Sequence, residues 1–259
     1  MKKFELTTGF KMFNEKKLFR IKALIDFSDV KAGELGGYVE KENNLSQDGN
    51  AWIYGNAKVW GNAKVFENAK VWGNAEVYGD AWVYGDAEVF GNAKVFENAK
   101  VWGNAEVYGD AEVYGDAWVY GDAWVYGDAE VFGNAEVFKN AKVWGNAKVW
   151  GDAEVWGDAE VYGDAKVFGN AEVFENAKVC ENADRLWITG LGTQGRTTTA
   201  FRCTDSIVRI KCGCFYGTLE EFKKQVTKTR TGKVQAEYLK FAELIEIYFG
   251  IDKEAEKNE

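Results

Sequence analysis

AWVYGDAWVYGDAEVFGNAEVF runs from Ala117 to Phe138. One six-residue phrase, Ala-x-Val-aromatic-Gly-Asn/Asp, repeats there without a break. Six is not a multiple of the 3.6 residues of a helical turn, so the stretch is not helical. It fits a short strand followed by a corner. Successive strand side chains point to opposite faces, so Ala and Val share one face and x shares the other with the aromatic. The x position is usually Lys or Glu, as at Lys58, Lys64, Lys70 and Glu76, and charges are not buried in series. Ala and Val therefore point inward, and the aromatics point outward. Gly-Asn and Gly-Asp make the corners, because these residues tolerate left-handed backbone angles.

Outward from this stretch the register never slips. An Ile or Val recurs every sixth residue from Ile53 to Val179, each with an Ala two residues before it, about 22 hexads in all. The corner letters set the number of sides. At spacing 18 they align as Asn62, Asp80, Asn98, Asp116, Asn134, Asp152, Asn170, and a second column runs Asn68, Asp86, Asn104, Asp122, Asn140, Asp158, Asn176. Alternation keeps like charges from stacking at the ~4.8 Å spacing of neighbouring strands. In the third column only Asp110 over Asp128 stacks like charges, whereas spacing 12 would stack Asp116 on Asp128 and Asp152 on Asp164. Three sides per coil follow, giving a prism of roughly seven coils, about 35 Å long at ~4.8 Å per coil.

The remainder of the chain bounds the function. Its 259 residues include no His and no Pro, which removes the usual general base, metal ligand and pH switch. The net charge is −9, and residues 51–183 hold 10 Lys against 22 Asp plus Glu, so the acid sits in the repeat. Nucleic acid and anionic membrane are thereby disfavoured as partners. No apolar run approaches the ~18 residues of a membrane span. The start, MKKFELTTGF, lacks a signal-type apolar stretch, so a cytoplasmic location and reduced thiols at Cys180, Cys203, Cys212 and Cys214 are expected. The expected division is a cap over 1–50 with strands at KKFELT and KLFRIKALIDF, the repeat over 51–183, and a separate module over 184–259.

V-W-G-N-A-K and V-Y-G-D-A-E resemble the hexapeptide repeat of left-handed parallel β-helix proteins. That resemblance implies the left hand, which spacing cannot show. The stretch FSDVKAGELGGYVEKENNLSQDGNAWIYGNAKV resembles the lead-in of bacterial hexapeptide-repeat proteins of the acyltransferase class. The tail GRTTTAFRCTDSIVRIKCGCFYGTLEEF is similar to a module that follows such repeats in phage and prophage proteins. The expected fold is mainly β, a three-sided parallel β-helix with an N-terminal cap and a small C-terminal α+β module.

Acyltransferases of the resembled kind place a histidine base at a groove between subunits, with loops interrupting the coils. This chain has neither His nor a break in its repeat. The corner carboxylates lack the GGxGxD pattern of calcium β-rolls and read as caps on their own corner backbone. Cys212-Gly-Cys214 with Cys203 falls short of four zinc ligands. If the strands pair around Asp205–Ser206, Cys203 lies opposite Val208 and far from Cys212. TGLGTQGR lacks the Lys-Ser/Thr end of a phosphate loop. Thr218-Leu-Glu-Glu221 is a capping box opening a helix to about Thr229, and Val234, Tyr238, Phe241, Ile245 and Tyr248 mark a second helix to about Phe249.

The aromatics carry the sharpest signal, in columns such as Phe66, Tyr84, Trp102, Tyr120, Phe138, Trp156, Phe174. Ring stacking alone could explain them. Three x positions, however, become Trp: Trp82, Trp118 and Trp124. With Tyr84, Lys100, Trp102 and Tyr120 they form the candidate binding surface, larger than a monomer ordinarily leaves bare. The expected function is a non-catalytic phage- or prophage-type binding or structural protein, in its most specific version an inhibitor of a host enzyme, needing neither cofactor nor metal. Its partner would be a protein or a further copy of the chain in a homo-oligomer. An acyltransferase and a carbohydrate-binding rod are the alternatives. FENAKVWGNAEVYGDA occurs from Phe66 and again from Phe96, five hexads apart, which suggests duplication by whole hexads.

Overall fold

A computed structural model describes residues 2–175, 177–179, 185–193, 196–202 and 206–251. It shows a mainly β protein whose body is a three-faced parallel solenoid. Every repeat Ala from Ala51 to Ala177 and every Val from Val59 to Val179 is fully buried. Residues 18 apart pair in parallel, as in Val83↔Val101 and Val101↔Val119. Inward Val and Ala therefore fill a continuous dry core, and x and the aromatic face out as parity requires.

Eight coils stack, one more than the repeat alone predicts, because the lead-in supplies the first. Tyr38–Val39 pair with Lys58–Val59, Leu45 bridges to Val65, and Ile53 pairs with Val71. Close approach of the chain here requires Gly36 and Gly37: a Cβ at either would lie 2.5 Å from Ile53. Two antiparallel strands, β1 (Phe4–Phe13) and β2 (Lys16–Ala23), extend the first face through β3 (Leu35–Val39). The first strand thus runs well beyond the expected KKFELT.

The open first coil needs donors, since no earlier coil offers N–H groups to Ala51 and Ala63. Side chains supply them. Lys3 Nζ donates to Ala51 O at 3.0 Å and Asn44 Nδ2 donates to Ala63 O at 2.9 Å. Burial of Lys3 pushes its ammonium down to about 8, with Asp48 opposing.

The corners differ from expectation in one respect. Their side-chain bonds run from coil to coil rather than to their own backbone. Asn62 Nδ2 donates to Asp80 Oδ1 at 3.0 Å, Asn98 to Asp116 at 3.0 Å and Asn134 to Asp152 at 2.8 Å. Where Asn and Asp alternate, the arrangement therefore gives the amide a carboxylate as well as separating like charges, and where Asn follows Asn, as at Asn50–Asn68 and Asn74–Asn92, the amides bond to each other. The duplicated block confirms that the faces are equivalent. Glu67 and Glu97 both adopt positive φ, 61° and 58°, and accept from Gly85 N–H and Gly115 N–H at 2.8 and 2.9 Å, on two different faces.

The module closes the far end. Four antiparallel strands, Arg185–Leu191, Arg196–Arg202, Val208–Cys212 and Phe215–Thr218, are followed by α1 (Leu219–Thr229) and α2 (Gly232–Phe249). Strand alternation sends Phe201 to the rod, where it meets Phe174 edge-on at 5.5 Å, and Ala200 to the helices. Thr218 caps α1 with the expected box, accepting from Glu221 N–H. In α2, Tyr238, Phe241 and Ile245 are buried as spaced, but Tyr248 is 41% exposed and Phe249 takes the core position. The strand register places Arg202, not Cys203, opposite Val208. Cys180, Cys203 and Asn176 lie outside the described residues. Cys212 is buried, its Sγ accepting from Thr198 Oγ1 at 3.1 Å, and Cys214 is exposed.

Candidate functional site

Each face of the rod carries two outward columns, one of x residues and one of aromatics. The aromatics stack on all three faces: Tyr78 on Phe96 at 4.9 Å, Tyr108 on Tyr126 at 4.9 Å, Trp102 on Tyr120 at 4.4 Å. Interplanar angles along these mid-rod stacks are only 2–4°, so the rings lie flat on one another there, and they tilt to 15–17° toward the module.

The x columns distinguish the faces. On the first face opposite charges pair within the column, Lys58–Glu76 at 3.0 Å, Lys94–Glu112 at 2.8 Å and Lys148–Glu130 at 2.6 Å. The second face reads Lys64, Trp82, Lys100, Trp118, Glu136, Glu154, Glu172 in successive register. Its two Lys meet indoles instead of carboxylates. Lys100 Nζ lies 5.3 Å from the Trp82 ring centre and 5.2 Å from that of Trp118, and Lys64 Nζ lies 5.5 Å from Trp82. Trp82 and Trp118 are each 38% exposed, and Trp118 turns its edge to Trp102 at 5.5 Å.

Six of the seven expected site residues, Trp82, Tyr84, Lys100, Trp102, Trp118 and Tyr120, thus share the second face. Trp124 does not. It stands on the third face between Glu106 and Lys142, with Lys142 Nζ 4.8 Å from its ring.

Sequence reasoning missed the other half of this face, although the same 18-residue spacing marks it. Tyr120 Oη donates to Glu136 Oε2 at 2.9 Å, and burial together with that carboxylate raises the Tyr120 phenol. Glu154 stands between Glu136 and Glu172; burial first, and then these two like charges, raise its carboxyl. Lys211 of the module approaches Glu172 at 3.9 Å. At the opposite end, where the second face has only the Leu45 bridge as its first rung, an open groove of about 590 Å³ lies against Phe66, Trp82, Gln47 and Glu42.

Among the described residues no group of three His, Cys, Asp or Glu is placed to hold a metal ion. Among them, too, no helix is long and apolar enough to cross a membrane. No protein-family model matches the chain. A stretch of 37 residues is 51% identical to part of "Uncharacterized acetyltransferase YdcK" of Escherichia coli (strain K12), covering 14% of this chain and 11% of that protein. The repeating, parallel, three-faced geometry is that of a hexapeptide-repeat β-solenoid.

Proposed function

We propose that the protein is a non-catalytic binding or structural rod, of the phage- or prophage-borne kind its tail resembles. It would engage a protein partner through the second face. The supporting observation is the pair Trp82 and Trp118, exposed on either side of Lys100. Neighbouring coils stack well with Lys or Glu at x, so indole there adds little to the fold. Clustered, partly exposed Trp and Tyr are what interfaces draw energy from, often over about 2 kcal/mol each. The acidic repeat favours a protein over nucleic acid or an anionic membrane.

The test is the double variant Trp82→Lys with Trp118→Glu, which restores residues usual at x. It is expected to melt within a few degrees of the parent while partner capture, scored by mass spectrometry of bound host or virion proteins, weakens about tenfold or more. Unchanged capture would remove the face from the proposal. A second reading, an acetyltransferase, is favoured by the 37-residue match to the E. coli protein. Calorimetric titration with acetyl-CoA tests it, and saturable binding would support the enzyme.

A further inference from the structure

The second face is complementary to itself when reversed, and we infer that it pairs with a second copy of the chain in an antiparallel dimer. This rests on the proposal that the face is a contact surface, and it names the partner. The two-fold axis would run along the central rung, through Trp118 and Tyr120. A two-fold lying in the interface and across the rods keeps each column opposite the same column and inverts its order. Rung 118 is the fourth of the seven strand rungs on this face, not counting the Leu45 bridge. Inversion about it sets Lys64 opposite Glu172, Lys100 opposite Glu136, and Trp118 opposite itself.

Three observations carry the pairing. First, charge in the x column of this face is segregated, Lys and indole in one half and Glu in the other, although Glu67 and Lys139 of the adjoining corner column run against it, whereas in the first-face column Lys58–Glu76, Lys94–Glu112 and Lys148–Glu130 are already paired. Among the described residues neither Lys64 nor Lys100 is in an ion pair, and Glu154 sits between Glu136 and Glu172, where burial first and then these like charges raise its carboxyl against the pull of Lys211. A reversed copy gives the lysines their carboxylates and spreads countercharge along the acidic half. Second, polarity disfavours the parallel alternative, which would keep every rung level with itself and crowd the acidic halves of the two copies, Glu136, Glu154 and Glu172, together. Third, the face is long enough, and its rings stack to within 2° at the central rung. Seven rungs span about 29 Å, and a side of about five extended residues about 17 Å, so two copies would bury on the order of 1,000 Å² in total, the lower end of specific interfaces. A dimer in the micromolar range, weakened by salt, is the expected strength for such an interface.

Sedimentation equilibrium of the full chain from about 1 to 100 μM should show a monomer–dimer equilibrium that shifts toward monomer as salt rises. Lys100→Glu and Glu136→Lys should each weaken the dimer about tenfold or more, because each sets like charges opposite one another twice. Mixing the two variants should restore dimer, as a heterodimer, since each supplies the charge the other lacks. Should either variant fail to fold by its melting curve, Lys64→Glu with Glu172→Lys tests the outer pair in the same way. Trp124→Lys, on the third face, should leave association unchanged. A parent that stays monomeric, single variants that still dimerise, or a mixture that does not recover would each overturn the pairing. Partner capture by the Trp82 and Trp118 variants is scored separately, so loss of the dimer leaves the binding proposal standing or falling by its own result.

Discussion

The rod and the module that closes it bury apolar side chains by opposite means. In the rod each Val touches neighbours one coil away and every coil repeats the last, so no single residue organises the whole. In the module Phe222 meets Tyr238 at 6.0 Å, and Ala200, Ile210 and Ile245 join from separate elements, each position holding a different residue. The rod's contacts are near neighbours in a one-dimensional stack; those of the module are non-local. A change in the rod should therefore act through what it puts into the dry core, and a change in the module through which unique contact it removes.

The hardest way to break the comparison is to put charge in the rod. Val119→Asp places an unpaired carboxylate in the interior, at a cost of several kcal/mol, and should abolish cooperative melting or drive precipitation. Tyr120→Asp, one residue on and facing out, should lose only ring stacking and the bond to Glu136, and thermal melts should separate the two clearly. At the seam, Phe201→Ala removes the side chain that joins module to rod. A loss of about 3–5 kcal/mol is expected by denaturant titration, with the last coil more open to hydrogen exchange. Within the module, Thr218→Ala deletes the cap of α1, an effect of about 1 kcal/mol. Deleting one coil, Gly91 to Tyr108, should matter less than its 18 residues suggest. Phe90 would then stack on Tyr126 in place of Tyr108, and circular dichroism should report a folded, shorter rod melting a few degrees lower.

The gentlest test uses pH. Lys3 is held down to about 8 in the folded protein, so between there and its ordinary value of 10.5 the unfolded chain carries the extra proton. Stability therefore rises with pH from about 8 to about 10 and is independent of Lys3 below that. Tyr114, pushed up to about 12 by burial and then by Glu130, acts oppositely. It stays protonated in the fold while the unfolded phenol ionises, so stability falls again above about pH 10. Melting curves across this range should show the rise in the parent and not in Lys3→Met.

Most of the rod is legible in the sequence because one inward pair, Ala and Val, is repeated with no slip. The first coil is not, since Val39 to Val59 and Leu45 to Val65 are spaced by 20 residues: Ser46 to Asn50 carries two extra before Ile53 restores the period. Parity also fails at Trp52. It occupies an x position yet is fully buried, because Phe4 and Phe27 of the lead-in cover it edge-on at 6.3 and 5.4 Å. Lys3 gives no local sign that it will be buried, since the carbonyls it serves lie more than 40 residues away. In the module the pairing of the strands on either side of Asp205–Ser206, the capping box and the helical spacing are readable, but the register is one residue off at Val208 and the spacing favours Tyr248 over its neighbour Phe249. Of the candidate surface, the step of 18 joins Trp82, Lys100 and Trp118, whereas Trp124, six residues past Trp118, is one side further round the prism.

The equivalence of the three faces has a geometric consequence. Each hexad turns the chain by a third of a revolution, so the hexad count fixes the azimuth of the closing module relative to the N-terminal strands. Gain or loss of three hexads lengthens or shortens the rod by ~4.8 Å and leaves its two ends in phase. A change by one or two would fold with the same core yet swing one end by about 120° and splice each outward column onto its neighbour. A duplication of five hexads, the offset between Phe66 and Phe96, is of this second kind: it keeps the dry interior intact while redrawing the pattern of charge that each face shows to the outside.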